Sequence, residues 1–230
     1  MDAEQHFVLL KEQLQLHFDS FTKAEMKEAH KAAFNFCMRQ IRKGKTKYQQ
    51  ELLDLYLSAI KRKLLFENSY LSPWSFKNVV KLGLIMNRLD WTETFIERYA
   101  KELESRFQKD AYHYNLADLY YHKKAYAEAQ GHLAQVEFSD VFYSLGTRLI
   151  LAKIYYETGE EESLLSLIAS FKIFLKRNQL ISDKNKETYD NFLYFLHQLV
   201  KGTKTTELET EIKATKLLAD RTWLLEKCSR

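Results

Sequence analysis

The sequence predicts an all-α fold, an α-α superhelix in which about 11 helices pair into antiparallel hairpins. Composition is the first reason, because the 230 residues include one proline and six glycines, too few turn residues for a chain of β-hairpins. The second reason is a leucine followed at once by a small residue, at Leu82-Gly83, Leu116-Ala117 and Leu151-Ala152. The intervals between these pairs, 34 and 35 residues, are typical of stacked helix–turn–helix units.

Residues 1–71 are predicted to form irregular helical hairpins. A first helix over about 4–18 has apolar residues at every third or fourth position. Thr22 and Glu25 have the spacing of a capping box, in which the hydroxyl and the carboxylate each accept a hydrogen bond from a backbone N–H. Gly44 marks the end of this second helix, and a third helix is expected over about 46–67.

Residues 72–178 are predicted to hold the most regular hairpins. Ser72 suits the N-cap of a helix, and Pro73 suits its first turn, where a backbone N–H has no helical partner. Aspartate and serine are favoured at N-caps because their side-chain oxygens accept hydrogen bonds from the first turn. The later helices of this region are expected to begin at Asp90, at Asp110, after Lys124, at Ser139 or Asp140, and after Gly159.

Residues 179–230 are predicted to form C-terminal helices and a capping helix. Ser182 is expected to open a helix that is rich in phenylalanine and leucine. After a short polar joint, Thr206 and Glu209 have the spacing of a second capping box, and a single last helix is expected to reach about Lys227. Such a helix would cover the apolar end of a stack of repeats. With no Pro-, Gly- or Ser-rich linker, residues 1–230 are predicted to form one domain.

The interval after Tyr112 carries the most specific pattern. A first helix, a turn at Lys123-Lys124 and a second helix have large and small apolar residues at fixed offsets. These residues are Leu116, Ala117, Tyr120, Tyr126, Ala129, Leu133 and Val136. The pattern resembles a tetratricopeptide repeat, with His113 in place of the usual tryptophan, and the resemblance covers roughly residues 75–178 as three units.

A second resemblance concerns the stretch SPWSFKNVVKLGL, residues 72–84. This stretch and the helical layout are similar to those of uncharacterised bacterial helical-repeat proteins. That similarity implies a helical repeat and implies no activity.

The tetratricopeptide resemblance implies a groove lined by the first helix of each unit, with exposed positions that flank the leucine–small pair. The implied partner-binding residues are Lys77, Asn87, Arg88, Tyr114, Asp118, Tyr121, His122, Lys153 and Tyr156. The alternative for Tyr121 and Tyr156 is that they pack against a neighbouring helix. Tyr114 and Asp118 stand where the family's clamp for C-terminal carboxylates has lysine and asparagine, which argues against the binding of chaperone tails.

The sequence shows no pattern that favours catalysis or a metal site. None of the seven histidines follows another by three or four residues, whereas zinc and di-iron sites need several converging ligands. The six glycines are scattered, so no loop that cradles phosphate is predicted. Cys37 lies between aromatic residues and Met38, which is typical of an inert buried thiol. We therefore expect no catalytic residue, no metal ligand and no cofactor.

The charge of the chain is mildly basic, with a net charge of +4 and a pI near 8.8. Nucleic-acid binders usually concentrate their basic residues on one stripe, whereas here acidic residues are interspersed. The densest basic run, residues 39–47, is interpreted as a helix end and a solvated turn.

These observations favour a non-catalytic protein-protein interaction scaffold that holds a peptide or protein partner in its groove. The alternatives are a helical-repeat nucleic-acid binder and a regulatory module of a larger bacterial protein. Two distant cysteines, the acidic start of the chain and the lack of apolar runs near 18 residues favour a cytoplasmic protein that is not inserted in membranes. The first helix lacks a clear cap, from which we expect that the chain was cut from a longer one.

Overall fold

Helices make up nearly all the regular structure. The computed structural model describes residues 3–16, 20–137, 141–202 and 205–229. In those ranges the chain forms 12 α-helices and one two-stranded antiparallel hairpin, which confirms the all-α prediction. The contacts divide the chain into an N-terminal unit, Met1–Gln135, and a C-terminal unit, Val136–Arg230.

The N-terminal unit contains seven α-helices, and each packs against the next one along the chain. They are α1 (Ala3–Leu16), α2 (Lys23–Arg42), α3 (Lys47–Lys61), α4 (Pro73–Ile85), α5 (Leu89–Tyr99), α6 (Ser105–His122) and α7 (Tyr126–Leu133). A short 3-10 helix, Ala100–Glu102, follows α5. In addition α4 packs on α6, so the first helices of two predicted repeat units lie side by side. This arrangement is compatible with a helical repeat.

The small residue of the first leucine–small pair has a direct structural reason. A Cβ atom on Gly83 would lie 2.2 Å from Thr92 Oγ1 and 3.1 Å from the Trp91 ring. Helix α4 therefore approaches α5 more closely than any larger side chain would permit. The alanines of the other two pairs, Ala117 and Ala152, are fully buried.

The predicted helix signals before residue 45 are confirmed. Thr22 Oγ1 accepts a hydrogen bond from Glu25 N, and the Glu25 carboxylate accepts one from Thr22 N at 2.8 Å, which completes the capping box. Gly44 ends the helix with a φ of +81°, which glycine adopts without strain. The predicted end of the first helix, at about residue 18, lies outside the described residues.

The prediction that the third helix continues to about residue 67 is wrong. Helix α3 ends at Lys61, and the chain then forms β1 (Phe66–Glu67) paired with β2 (Tyr70–Leu71). Asn68 and Ser69 between the strands both have positive φ, 47° and 70°, as a tight two-residue hairpin turn requires.

Two predicted helix starts are also corrected. Helix α6 begins before Asp110, at Ser105, and Asp110 is buried inside the helix. The side chain of Gln108 fixes this earlier start, because it donates a hydrogen bond to Leu103 O at 2.8 Å. Asp90 lies in the first turn of α5 and is not its N-cap residue, which is Arg88. The alternative caps Ser139 and Asp140 lie outside the described residues.

The C-terminal unit contains five α-helices around a core of leucine, isoleucine and phenylalanine side chains. They are α8 (Val141–Thr158), α9 (Glu161–Arg177), α10 (Asp183–Val200), α11 (Thr206–Ala214) and α12 (Arg221–Cys228). Helix α9 packs on α8 and on α10, and α12 packs on α10 and on α11. Ser182 caps α10, as predicted, by accepting a hydrogen bond from Asn185 N.

The single last helix predicted from Thr206 to Lys227 is two helices. The chain leaves the helical conformation at Thr215, whose ψ is 118°, and Asp220 before α12 has a left-handed φ of 43°. The guanidinium of Arg221 holds the end of α11, since it donates to the carbonyls of Ile212, Lys213 and Thr215. The cap of α11 is Thr205, one residue before the predicted Thr206.

None of the helices in the described ranges is long and apolar enough to cross a lipid bilayer.

Candidate functional site

The side-by-side packing of α4 and α6 creates one surface that carries most of the predicted partner-binding residues of the N-terminal unit. We call it the α4–α6 face. It is built from Trp74, Lys77, Lys81 and Ile85 of α4 and from Tyr114, Asp118, Tyr121 and His122 of α6, of which Tyr114 and Asp118 are buried beneath the surface.

An exposed apolar stripe on α4 defines this face. Trp74, Lys81 and Ile85 follow one another at seven and four residues, which places them on one side of the helix. Trp74 is 50% exposed and Ile85 is 60% exposed. The exposure of Trp74 and Ile85 was not predicted from the sequence, because apolar residues at helical spacing usually indicate the core.

Asp118 lies beneath this face and is not an exposed contact, which corrects the exposure that the resemblance implied. It is 0% exposed, and its Oδ2 lies 2.6 Å from the ammonium of Lys81 on α4. His122, one turn further along α6, donates from Nδ1 to Asp118 O at 2.8 Å. A buried carboxylate requires a partner of opposite charge, and the ion pair of Asp118 with Lys81 joins α6 to α4.

Tyr114 is also buried, which again corrects the expected exposure. Its ring lies under the ammonium of Lys77 on α4, 4.6 Å from nitrogen to ring centroid. A cation over an aromatic face is attracted by the ring's negative quadrupole. Lys77 itself is half-buried, and the Tyr114 ring of α6 fixes the position of its ammonium.

Asn87 and Arg88 lie in the turn between α4 and α5, and both are exposed. Asn87 has a φ of 55°, a left-handed conformation that asparagine tolerates better than most residues. The guanidinium of Arg88 donates to Gln50 Oε1 on α3 at 2.6 Å. Arg88 follows Ile85 by three residues, so it adds a positive charge just after the C-terminal end of α4.

The remaining predicted residues pack on neighbouring helices. Tyr121 is half-buried, with its ring centroid 5.9 Å from that of Tyr126 on α7. In the C-terminal unit Lys153 is buried, contrary to expectation, because its ammonium pairs with Asp220 at 2.7 Å. Tyr156 meets the ring of Trp223 edge-on at 5.3 Å, and burial raises the pKa of its hydroxyl. Tyr121 and Tyr156 therefore both pack against a neighbouring helix, which was the alternative to partner binding.

A polar cluster on the opposite side of α6 was not foreseen from the sequence. The Glu93 carboxylate of α5 accepts hydrogen bonds from Lys123 at 2.6 Å and from the Tyr120 hydroxyl at 3.2 Å. The hydrogen bond from Lys123 is the main reason that the pKa of Glu93 is lowered. The Tyr120 ring stacks on His132 of α7, which in turn contacts His113. This cluster ties three helices together.

Cys37 is fully buried, and burial raises the pKa of its thiol to about 12, so the thiolate is scarce at neutral pH. In the part of the chain that the structure describes, no three His, Cys, Asp or Glu side chains come together as metal ligands would.

Comparison of the chain with protein-family models, with curated proteins and with solved structures gives no match.

Proposed function

We propose that this chain is a non-catalytic protein-protein interaction scaffold, built from tetratricopeptide-like hairpins, that binds an acidic peptide segment on the α4–α6 face. The observation that carries the proposal is the exposure of Trp74 and Ile85 beside fixed cations. Large apolar side chains that share one exposed surface can mark a site that another molecule covers, and tryptophan is enriched at binding hot spots.

The length of the face suggests how a peptide would fit. Trp74 and Ile85 are 11 residues apart on one helix, a distance of about 16 Å at 1.5 Å per residue. An extended peptide covers that distance with about five residues at 3.3 Å each. The partner segment would therefore place two apolar anchors about five positions apart.

The charges on and beside the face favour acidic residues between those anchors. Lys77, Lys81 and Arg88 supply positive charge, and the Asp118 carboxylate is buried against Lys81. Opposite charges across an interface increase the association rate and fix the register of the partner. Each exposed cation contributes modestly on its own, so the apolar anchors should dominate the affinity.

A peptide-display selection on the purified chain tests this function. Enriched peptides should be acidic and should carry two apolar residues about five positions apart. Ile85→Ala should weaken the best peptide by about tenfold or more. Ile173→Ala is a matched control, because Ile173 on α9 is similarly exposed, at 51%. Equal affinities of the two variants, or enriched peptides without acidic residues, would contradict the proposal.

The alternative of a nucleic-acid binder has one specific supporting observation. Trp74 is exposed near two lysines. Proteins that bind single-stranded nucleic acid also combine an aromatic ring, on which a base stacks, with cations that contact the phosphates. Binding of a labelled single-stranded oligonucleotide should then fall steeply with salt, because phosphate contacts release counterions. We expect the oligonucleotide to show no binding, and a steep salt dependence that Trp74→Ala abolishes would replace the peptide proposal.

A further inference from the structure

A second candidate site lies elsewhere in the N-terminal unit, in a cavity of about 310 Å³. It is formed by α2, α3, the β-hairpin and the first turn of α4. The volume is at the small end of the roughly 300–1,000 Å³ found for ligand cavities. The buried part of the lining includes His30, Tyr56, Leu64 and Ser75. Of the charged lining residues, Glu28, Lys31 and Glu67 are exposed and Lys27 is half-buried.

Two buried residues of this lining each have one side-chain polar atom with no hydrogen-bond partner among the described residues. Ser75 is 9% exposed, and its hydroxyl bonds to no residue that the structure describes. His30 is 2% exposed and donates from Nδ1 to Met26 O at 2.9 Å, so Nε2 is the ring nitrogen that a molecule in the cavity could reach. Ser75 Oγ and His30 Nε2 are therefore available on the wall of the cavity to hydrogen-bond a bound molecule.

The start of α4 provides an attraction for an anionic group. Ser72 is the N-cap residue, but its side chain accepts no hydrogen bond from the first turn, and Pro73 follows it. The first-turn N–H groups of this 13-residue helix thus lack a side-chain cap, and helix N-termini favour negative charge. Ser72 and Ser75 both line the cavity, so this positive end adjoins it.

The same cavity also contains hydrogen-bond acceptors, which suit a cationic donor group. Because a carbonyl can only accept, the bond to Met26 O fixes the proton of His30 on Nδ1 and leaves Nε2 as an acceptor. Burial lowers the pKa of His30, which keeps this acceptor available. Glu28 and Glu67 of the lining are acceptors as well. A ligand for this cavity should therefore carry a hydrogen-bond donor close to its anionic group.

One wall of the cavity is aromatic and aliphatic. The rings of Phe34 and Tyr56 stack with centroids 4.3 Å apart and an interplanar angle of 13°, and Leu64 and Leu65 adjoin them. Four charged side chains also line the cavity, Lys27 and Lys31 against Glu28 and Glu67, so their formal charges cancel. A small molecule with one charge of each sign and an apolar body matches this lining.

We propose that the cavity binds a free α-amino acid with an aromatic or branched apolar side chain. Its carboxylate lies at the start of α4 near Ser75, its ammonium faces His30 Nε2 and the lining glutamates, and its side chain packs on Phe34. Carboxylate and ammonium are attached to the same carbon in such a molecule, which suits donors and acceptors that share one small cavity. This proposal does not depend on the function assigned to the α4–α6 face.

Titration calorimetry of the full chain with L-phenylalanine and L-leucine tests the proposal. We expect at least one of them to bind. The two matched analogues of phenylalanine are 3-phenylpropionate, which lacks the ammonium, and phenethylamine, which lacks the carboxylate. Each should bind at least about tenfold more weakly, because it leaves one set of buried polar groups unpaired. No binding of either amino acid, or equal binding of an analogue, overturns the proposal.

Ser75→Ala provides the second test. The hydroxyl has no partner within the described protein, so the variant should melt at the wild-type temperature or above while binding the amino acid about tenfold more weakly. Ser170→Ala, an exposed serine of α9, is the control and should change neither property. If Ser75→Ala destabilises the fold, Ser72→Ala replaces it with the same expectation. Unchanged affinity in a folded variant contradicts the proposed site.

Discussion

The Nδ1 atoms of His113 on α6 and His132 on α7 lie 3.0 Å apart. One ring must donate and the other accept, so the contact requires at least one neutral imidazole. Burial lowers the pKa of His113, with a further contribution from the charge of His132 and of Lys109, against a smaller opposing effect of Asp110. Burial likewise lowers the pKa of His132. The pair therefore favours the deprotonated state in the folded protein.

Acidification should consequently destabilise the N-terminal unit. Below about pH 6.5, these histidines become protonated in the unfolded chain, whereas in the folded chain they stay neutral to a lower pH. The unfolded state therefore binds more protons, and the free energy of unfolding decreases as the pH falls. The loss should continue until the pH passes the lowered folded-state values and should then level off. His113→Gln should flatten the fall in free energy of unfolding between pH 7 and pH 5, as measured by urea denaturation.

The control for this experiment is His6→Gln, at an exposed position of α1. His30 and His197, whose pKa values are also lowered by burial, are present in both variants and affect both curves equally. The carboxylate of Glu93 titrates in a lower range, because its hydrogen bond to Lys123 lowers its pKa. If the free energy of unfolding of His113→Gln and of wild type falls equally with pH, protonation of the histidine pair does not contribute to the loss of stability.

Replacing Gly83 with alanine should destabilise the protein. The added Cβ would meet Thr92 Oγ1 at 2.2 Å, and relief of this overlap requires α4 and α5 to separate, which costs about 1–3 kcal/mol. The improved helix propensity of alanine, about 1 kcal/mol, offsets only part of that cost. Gly131→Ala on α7 is the matched control, because its Cβ meets nothing within 4 Å; it should stabilise by up to about 1 kcal/mol. Urea denaturation of both variants that ranks them in the opposite order would exclude this explanation.

Several helix ends were predictable from sequence because their signals are local and specific. Thr22 with Glu25, Gly44 and Ser182 each satisfy neighbouring backbone groups, and their spacing alone identifies the helix ends. The two-residue strands at Phe66 and Leu71 could not be found in this way, since so short a strand shows no periodicity. The predicted helix start at Asp110 is wrong, because an aspartate before an apolar run suits an N-cap as well as it suits the interior position that Asp110 occupies.

The candidate site was less predictable because burial depends on distant partners. The tetratricopeptide resemblance implied exposed positions for Asn87 and Arg88, and both are exposed. Spacing alone could not show that Asp118 is buried, since the cation that permits this burial, Lys81, lies on another helix. Lys153 is buried for the same reason, against Asp220, which is 67 residues away in sequence. The contact of His113 with His132 is equally invisible to a search for neighbouring histidines.

Arg221 should be essential for the end of α11. Its guanidinium donates to Lys213 O at 3.0 Å and also to the carbonyls of Ile212 and Thr215. Lysine cannot reproduce this planar fork, so Arg221→Lys should lower the free energy of unfolding by about 1–3 kcal/mol. It should also speed amide hydrogen exchange in α11. Arg177→Lys, at an exposed position of α9, serves as the control, and equal exchange in the two variants would show that the fork contributes nothing.

Asp118 should affect both stability and peptide binding, although its side chain is fully buried. Asp118→Asn keeps the shape of the side chain but removes the charge that pairs with Lys81, so it should destabilise by about 1–3 kcal/mol. Lys81 would then lose its fixed position, and an acidic peptide selected on the α4–α6 face should bind less tightly. In a double-mutant cycle with Lys81→Met, the two effects should be strongly non-additive. Asp190→Asn, at an exposed position of α10, is the control. Additive losses would mean that the buried carboxylate stabilises the helix without positioning the lysine.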